Sequence, residues 1–235
     1  MPERHIVAMG GGGFSMDGDN PLLDDFVLSL ARVKKNPRVC FIGTASGDSE
    51  TYAAHFHDSF PPSRAQATRL KLFARSVHDL RSFVFEQDII YVGGGNTANL
   101  LAVWRLHGLD RVLRAAWNRG IVLAGISAGA ICWFEHGVTD SFGRRPQRLD
   151  GGLGFLRGAF TPHYDGEAAR RPALHKLVRK GFPTTLALDD GAAAHFVGTR
   201  LKEIVSSRPK ARAFRVALNG RSVVETALPV RYLGN

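Results

Sequence analysis

A serine between small residues, Gly125-Ile126-Ser127-Ala128-Gly129, is the most chemically pointed feature of the chain. It follows an apolar run at residues 121–126 and precedes a helix-like run at 130–135. A hydroxyl on a tight strand-to-helix turn needs small neighbours, because a strained backbone there cannot accommodate bulky ones. Such a serine stands clear at the start of a helix, where free amides favour developing negative charge. The same pentapeptide also fits a glycine-rich turn with a serine N-cap. A second loop, Gly93-Gly94-Gly95-Asn96-Thr97, follows the apolar run 88–92. One amide from Gly94 or Gly95, together with that of Ala128, can form an oxyanion hole, each donor being worth about 3 kcal/mol of barrier. Glycine-rich loops also bind phosphate. The Gly-Lys-Ser/Thr of a Walker loop and a G-x-G-x-x-G fingerprint are both missing here.

A nucleophilic serine needs a base and a group to orient that base. Of nine histidines, His163 has the most shaped setting, Thr161-Pro162-His163-Tyr164-Asp165-Gly166. Two aspartates compete as the third member. Asp190 follows the strand-like Leu186-Ala187-Leu188 and precedes Gly191, whereas Asp140 lies in Gly137-Val138-Thr139-Asp140-Ser141. Either also fits a turn or cap aspartate.

These residues must be held by something, and the chain alternates strand-like and helix-like segments. Strands are expected at 6–9, 38–42, 69–73, 88–92 and 121–126, and helices at 21–33 (Asn20 as N-cap), from 49, at 96–106 and at 109–119. Apolar strands alternating with helices imply a parallel sheet covered on both faces, hence a doubly wound, mostly parallel α/β sandwich. Ligands bind such sheets beyond the carboxyl ends of the strands, where the glycine-rich turns fall. Later strands are expected at 186–188 and 193–197, followed by a hairpin around Asn219-Gly220. With 235 residues and no linker or repeat, the expectation is one domain over 1–235.

Composition narrows the class. Apolar residues make up 44%, and no run reaches the roughly 18 apolar residues of a membrane span. The N-terminus lacks the apolar core of a signal peptide. Cys40 and Cys132 sit in apolar runs and read as buried thiols. A soluble cytoplasmic protein is expected. The net charge of +10 is scattered and accompanies no nucleic-acid motif, so a solvated basic surface is expected rather than a nucleic-acid partner. No Cys/His cluster or His-Glu-x-x-His calls for a metal, and no cofactor is expected.

Taken together, Gly93 to Thr97, Gly125 to Ala130 and Thr161-Pro162-His163-Tyr164 resemble the peptidase E (aspartyl dipeptidase) family, of which cyanophycinase is a related branch. The resemblance extends from the first strand to about Phe196. It implies a class I glutamine amidotransferase-like sandwich and a Ser-His-acid triad, with Ser127 as nucleophile and His163 as base. The acid stays open: Asp140 lies near the place used by peptidase E proper, Asp190 near the place used by cyanophycinase, and the more rigid sheet end favours Asp190. The resemblance implies hydrolysis of short peptides near the N-terminus, including Asp-Xaa dipeptides; a monomer or homodimer is expected. Arg170 and Arg171 are the expected holders of an acidic substrate side chain, although the spacing after His163 departs from the family pattern. Two other readings are an α/β-hydrolase esterase using Ser127, Asp165 and His195, and a catalytically silent protein binding a small anion at the glycine-rich loops.

Overall fold

The computed structural model describes residues 2–234. Along the chain run β1 (His5–Met9), α1 (Leu22–Ser29), β2 (Arg38–Ile42), α2 (Glu50–Ser59), β3 (Gln66–Leu70), α3 (Leu80–Phe85), β4 (Ile89–Val92), α4 (Thr97–His107), α5 (Leu109–Asn118), β5 (Val122–Ile126) and α6 (Ala128–Ile131). There follow β6 (Phe134–Thr139), β7 (Gln147–Asp150), β8 (Leu156–Thr161), α7 (Arg170–Arg179), β9 (Thr185–Leu188), β10 (Ala192–Val197), β11 (Arg200–Ser206), β12 (Ala213–Asn219), β13 (Ser222–Leu228) and β14 (Arg231–Tyr232).

The first sheet has the order β14-β11-β10-β1-β5-β4-β2-β3. Its block β1-β5-β4-β2-β3 is parallel throughout, as alternating strands and helices require. β10 pairs antiparallel with β1 and carries the sheet onward. Both faces are covered, and β1 shows why its sequence lacks polar alternation. Ile6 and Ala8 enter one core with α3, α4, α5 and the second sheet, while Val7 and Met9 enter the other with α1 and α2. Side chains alternate faces along a strand, so a strand buried on both sides is apolar at every position.

The second sheet has the order β13-β12-β9-β8-β6-β7, with β6, β8 and β9 parallel and the hairpins at its edges antiparallel. A third core lies between this sheet and α7, built on Leu174, Val178, Ala187 and Val216.

Several boundaries differ from the sequence reading. The helix expected over 130–135 is a single turn, after which Phe134 to Thr139 extends as β6; a short apolar run does not distinguish a buried helix from a buried strand. The strand expected at 69–73 lies at Gln66–Leu70, because the amides of Leu72 and Phe73 turn to the Asp48 carboxylate. The hairpin at Asn219-Gly220 forms as expected, with Asn219 opposite Ser222.

Candidate active site

Ser127 follows the last residue of β5, with φ 53° and ψ −111°. A non-glycine residue there carries about 1–3 kcal/mol of strain, so its surroundings must impose it. Its amide donates to the Met9 carbonyl at 3.1 Å, and its carbonyl accepts from the amides of Ala130 and Ile131. The two flanking glycines make the turn possible. A side-chain carbon on Gly125 would lie 2.1 Å from the Gly129 carbonyl oxygen, and one on Gly129 would lie 2.4 Å from that of Val92. The half-buried Ser127 hydroxyl makes no hydrogen bond to any of the described residues.

β8 delivers the histidine to the same end of the molecule. The His163 amide donates to the Gly10 carbonyl at 3.1 Å, so Ser127 and His163 hang from consecutive carbonyls at the end of β1. His163 also has positive φ, 52°. Its Nδ1 lies 2.6 Å from Oδ1 of the buried Asp190, which follows β9. With a carboxylate on Nδ1, the neutral ring carries its proton there and Nε2 is left as the basic nitrogen. The Asp190 amide donates to Oδ1 of Asp165 at 2.8 Å, fixing the turn. A side-chain carbon on Gly11 would lie 2.1 Å from Asp190 Oδ1 and 2.9 Å from His163 Nδ1, so the glycine loop after β1 presses directly on this pair.

The loop after β4 closes the other side. A side-chain carbon on Gly94 would lie 3.5 Å from Ser127 Cβ. The Gly94 amide is already engaged, donating to the Tyr52 hydroxyl at 3.1 Å. Among the described residues, the amides of Gly95 and Ala128 donate no hydrogen bond. Asn96 is a structural residue: its Oδ1 caps α4 through the Asn99 amide and its Nδ2 donates to the Ser141 carbonyl.

Asp140, Arg170 and Arg171 make no hydrogen bond to Ser127, His163 or Asp190 among the described residues. Asp140 is exposed and faces Arg170 at 3.5 Å. Arg170 is 2% exposed and bonds Glu167 and the Val138 carbonyl. Arg171 holds Glu225 of β13 through both Nε and Nη2. These protein partners engage both guanidinium groups, that of Arg170 buried and that of Arg171 half exposed. His195 lies in β10 against His5 and Phe26, with Asp165 on the Asp190 amide, so the esterase set of Ser127, Asp165 and His195 is not assembled. Tyr52 escapes a sequence reading, since a tyrosine in an amphipathic helix looks like core. Below the glycine loop, burial raises the Asp24 carboxyl to about 6, and its Oδ1 accepts from Tyr91. Among the described residues, no group of three or more His, Cys, Asp or Glu side chains is arranged to hold a metal ion.

Comparison with known proteins agrees with this architecture. The sequence profile of peptidase family S51 matches residues 6–204. The chain is 52% identical over 232 residues to the uncharacterized peptidase YgaJ of Bacillus subtilis (strain 168), covering 98% of this chain and 100% of that one. Among solved structures it resembles a peptidase from an acI-B1 actinobacterium, with a TM-score of 0.72 at 20% identity over 97% of this chain and 95% of that one. It also resembles a peptidase E candidate from Listeria monocytogenes EGD-e, with a TM-score of 0.60 at 17% identity over 97% and 100% of the two chains. The two solved structures speak for the α/β sandwich, while the profile and the B. subtilis relative carry the assignment: the chain belongs to peptidase family S51.

Proposed function

We propose that this peptidase works through an acyl-enzyme on Ser127, with His163 as general base and acid and Asp190 as the carboxylate that orients it. The observation that carries the reading is the 2.6 Å contact between His163 Nδ1 and Asp190 Oδ1, hung one carbonyl away from a serine on a strained turn. His163 Nε2 takes the proton of Ser127 Oγ as the oxygen attacks a peptide carbonyl and the new C–O bond forms. The amides of Gly95 and Ala128 stabilise the oxyanion. His163 then returns the proton to the leaving amine as the C–N bond breaks, and water repeats the sequence to release the acid. Asp190 stays ionised and steadies the imidazolium.

Short peptides cleaved near the N-terminus remain the proposed substrates. Asp-Xaa dipeptides belong to this proposal through the family resemblance alone, since Arg170 and Arg171 have protein partners. The buried free thiols of Cys40 and Cys132 support a reducing, cytoplasmic setting. The test is Ser127→Ala assayed on a dipeptide library that includes Asp-Xaa members. Loss of all turnover supports the reading, and unchanged turnover removes Ser127 from the mechanism.

A further inference from the structure

We infer that Tyr52 is a positioning residue of this site, its hydroxyl tying the loop after β1 to the loop after β4 and thereby fixing the oxyanion donors beside Ser127. The inference rests on the reading of Ser127 as nucleophile. Tyr52 sits in the first turn of α2, where its own amide donates to the Ser49 cap. Its ring packs against Phe14, at 5.4 Å between centroids, and Phe41, at 5.1 Å. Phenylalanine would fill that space as well, since Phe56 already packs against both of those rings. The hydroxyl is what a phenylalanine lacks, and both of its bonds lead to the site. It accepts the Gly94 amide at 3.1 Å and lies 2.8 Å from Ser15 Oγ, in the turn that follows the glycine loop after β1. A side-chain carbon on Gly94 would lie 3.5 Å from Ser127 Cβ and 3.9 Å from the Tyr52 hydroxyl, so the phenol acts one residue away from the nucleophile. Burial pushes the phenol above its ordinary pKa, which keeps its proton in place at neutral pH.

The chemistry follows from which amides are taken. With Gly94 held by Tyr52, the free donors are Gly95 and Ala128. Backbone bonds anchor the loop at its ends, from the Gly93 amide to the Ile42 carbonyl and from the Asn96 amide to the Ala45 carbonyl, and between them the Tyr52 hydroxyl holds the Gly94 peptide. Without that bond the Gly94 amide competes for the oxyanion or for Ser127 itself, and the donor pair loses its aim. Misaimed donors weaken transition-state stabilisation more than substrate binding.

The experiment compares wild type with Tyr52→Phe, Ser15→Ala and Ser15→Thr. The readouts are the rate constant for phosphonylation of Ser127 by an alkyl fluorophosphonate, kcat and KM on a hydrolysed dipeptide, and the melting temperature. The expected result for Tyr52→Phe is a fall of about tenfold in kcat and in phosphonylation rate, with KM within about twofold. Ser15→Ala gives a smaller fall in the same direction, and Ser15→Thr restores it. A Tyr52→Phe enzyme phosphonylated at the wild-type rate overturns the inference. If Tyr52→Phe is poorly folded, the serine pair decides, and equal rates for Ser15→Ala and Ser15→Thr overturn it. Wild type that hydrolyses peptides without phosphonylation at Ser127 instead overturns the proposed nucleophile, and the positioning role falls with it.

Discussion

His163 and Asp190, 27 positions apart in sequence, meet at 2.6 Å between Nδ1 and Oδ1, while Asp140 stands exposed beside Arg170. Replacing the carboxylate on Nδ1 with an amide leaves the shape intact but permits the wrong tautomer. Asp190→Asn is therefore expected to lower kcat roughly a thousandfold or more. Asp140→Asn is expected to stay within about threefold of wild type, because its contact is exposed and long. Steady-state kinetics on the same peptide check both, and the reverse ranking would move the acid to Asp140.

Gly11 tests the packing behind that pair. An added methyl would meet Asp190 Oδ1 at 2.1 Å, so the carboxylate or the loop must move. Gly11→Ala is expected to lower kcat/KM at least about tenfold, close to 1.4 kcal/mol of barrier. Wild-type activity in this variant would show that the loop yields without disturbing His163.

Arg170 separates a structural from a substrate-binding arginine. Its buried guanidinium bonds Glu167 and the Val138 carbonyl and links α7 to β6. Arg170→Met is expected to lower unfolding stability by about 3 kcal/mol, since removal of one partner strands buried polar groups. KM for Asp-Xaa and for Ala-Xaa dipeptides should change by the same factor. A rise in KM confined to Asp-Xaa would return Arg170 to the substrate.

Asp24 sets a pH dependence of stability. Its folded pKa, about 6, lies above the unfolded value of 3.8. The raised pKa means a contribution fully present below about pH 4 and lost as pH rises through 6. Asp24→Asn keeps an acceptor for Tyr91 while removing the buried charge. It is expected to gain up to about 3 kcal/mol over wild type at pH 8, an advantage that shrinks as pH falls to 4. Denaturant unfolding at the two pH values measures it, and an advantage independent of pH would contradict the buried-charge account.

Much of this site was legible before the fold was known, for a physical reason. A strained strand-to-helix turn that presents a serine tolerates only small flanking residues, so Gly125, Ala128 and Gly129 report the geometry directly. The parallel order was legible too, since strands buried on both faces, such as β5, carry no polar residue. The second sheet was legible only in part: its strand at 186–188 and the Asn219-Gly220 hairpin were, but β6 was not, because the short apolar run 130–134 fits helix and strand alike. The choice between the two aspartates was legible only as a preference for the sheet end at Asp190, and it is the approach of β8 to β9 that brings Asp190 to His163. Arg170 and Arg171 looked free because their partners, Glu167, the Val138 carbonyl and Glu225, depend on how α7 packs on β6 and β13.

The most direct test is the site of reaction with a serine-directed phosphonate, read by mass spectrometry of the intact protein and of its peptides. One adduct on Ser127, lost in His163→Ala, is the predicted result. Peptide hydrolysis by a protein that carries no adduct, or carries it on another residue, would contradict the account.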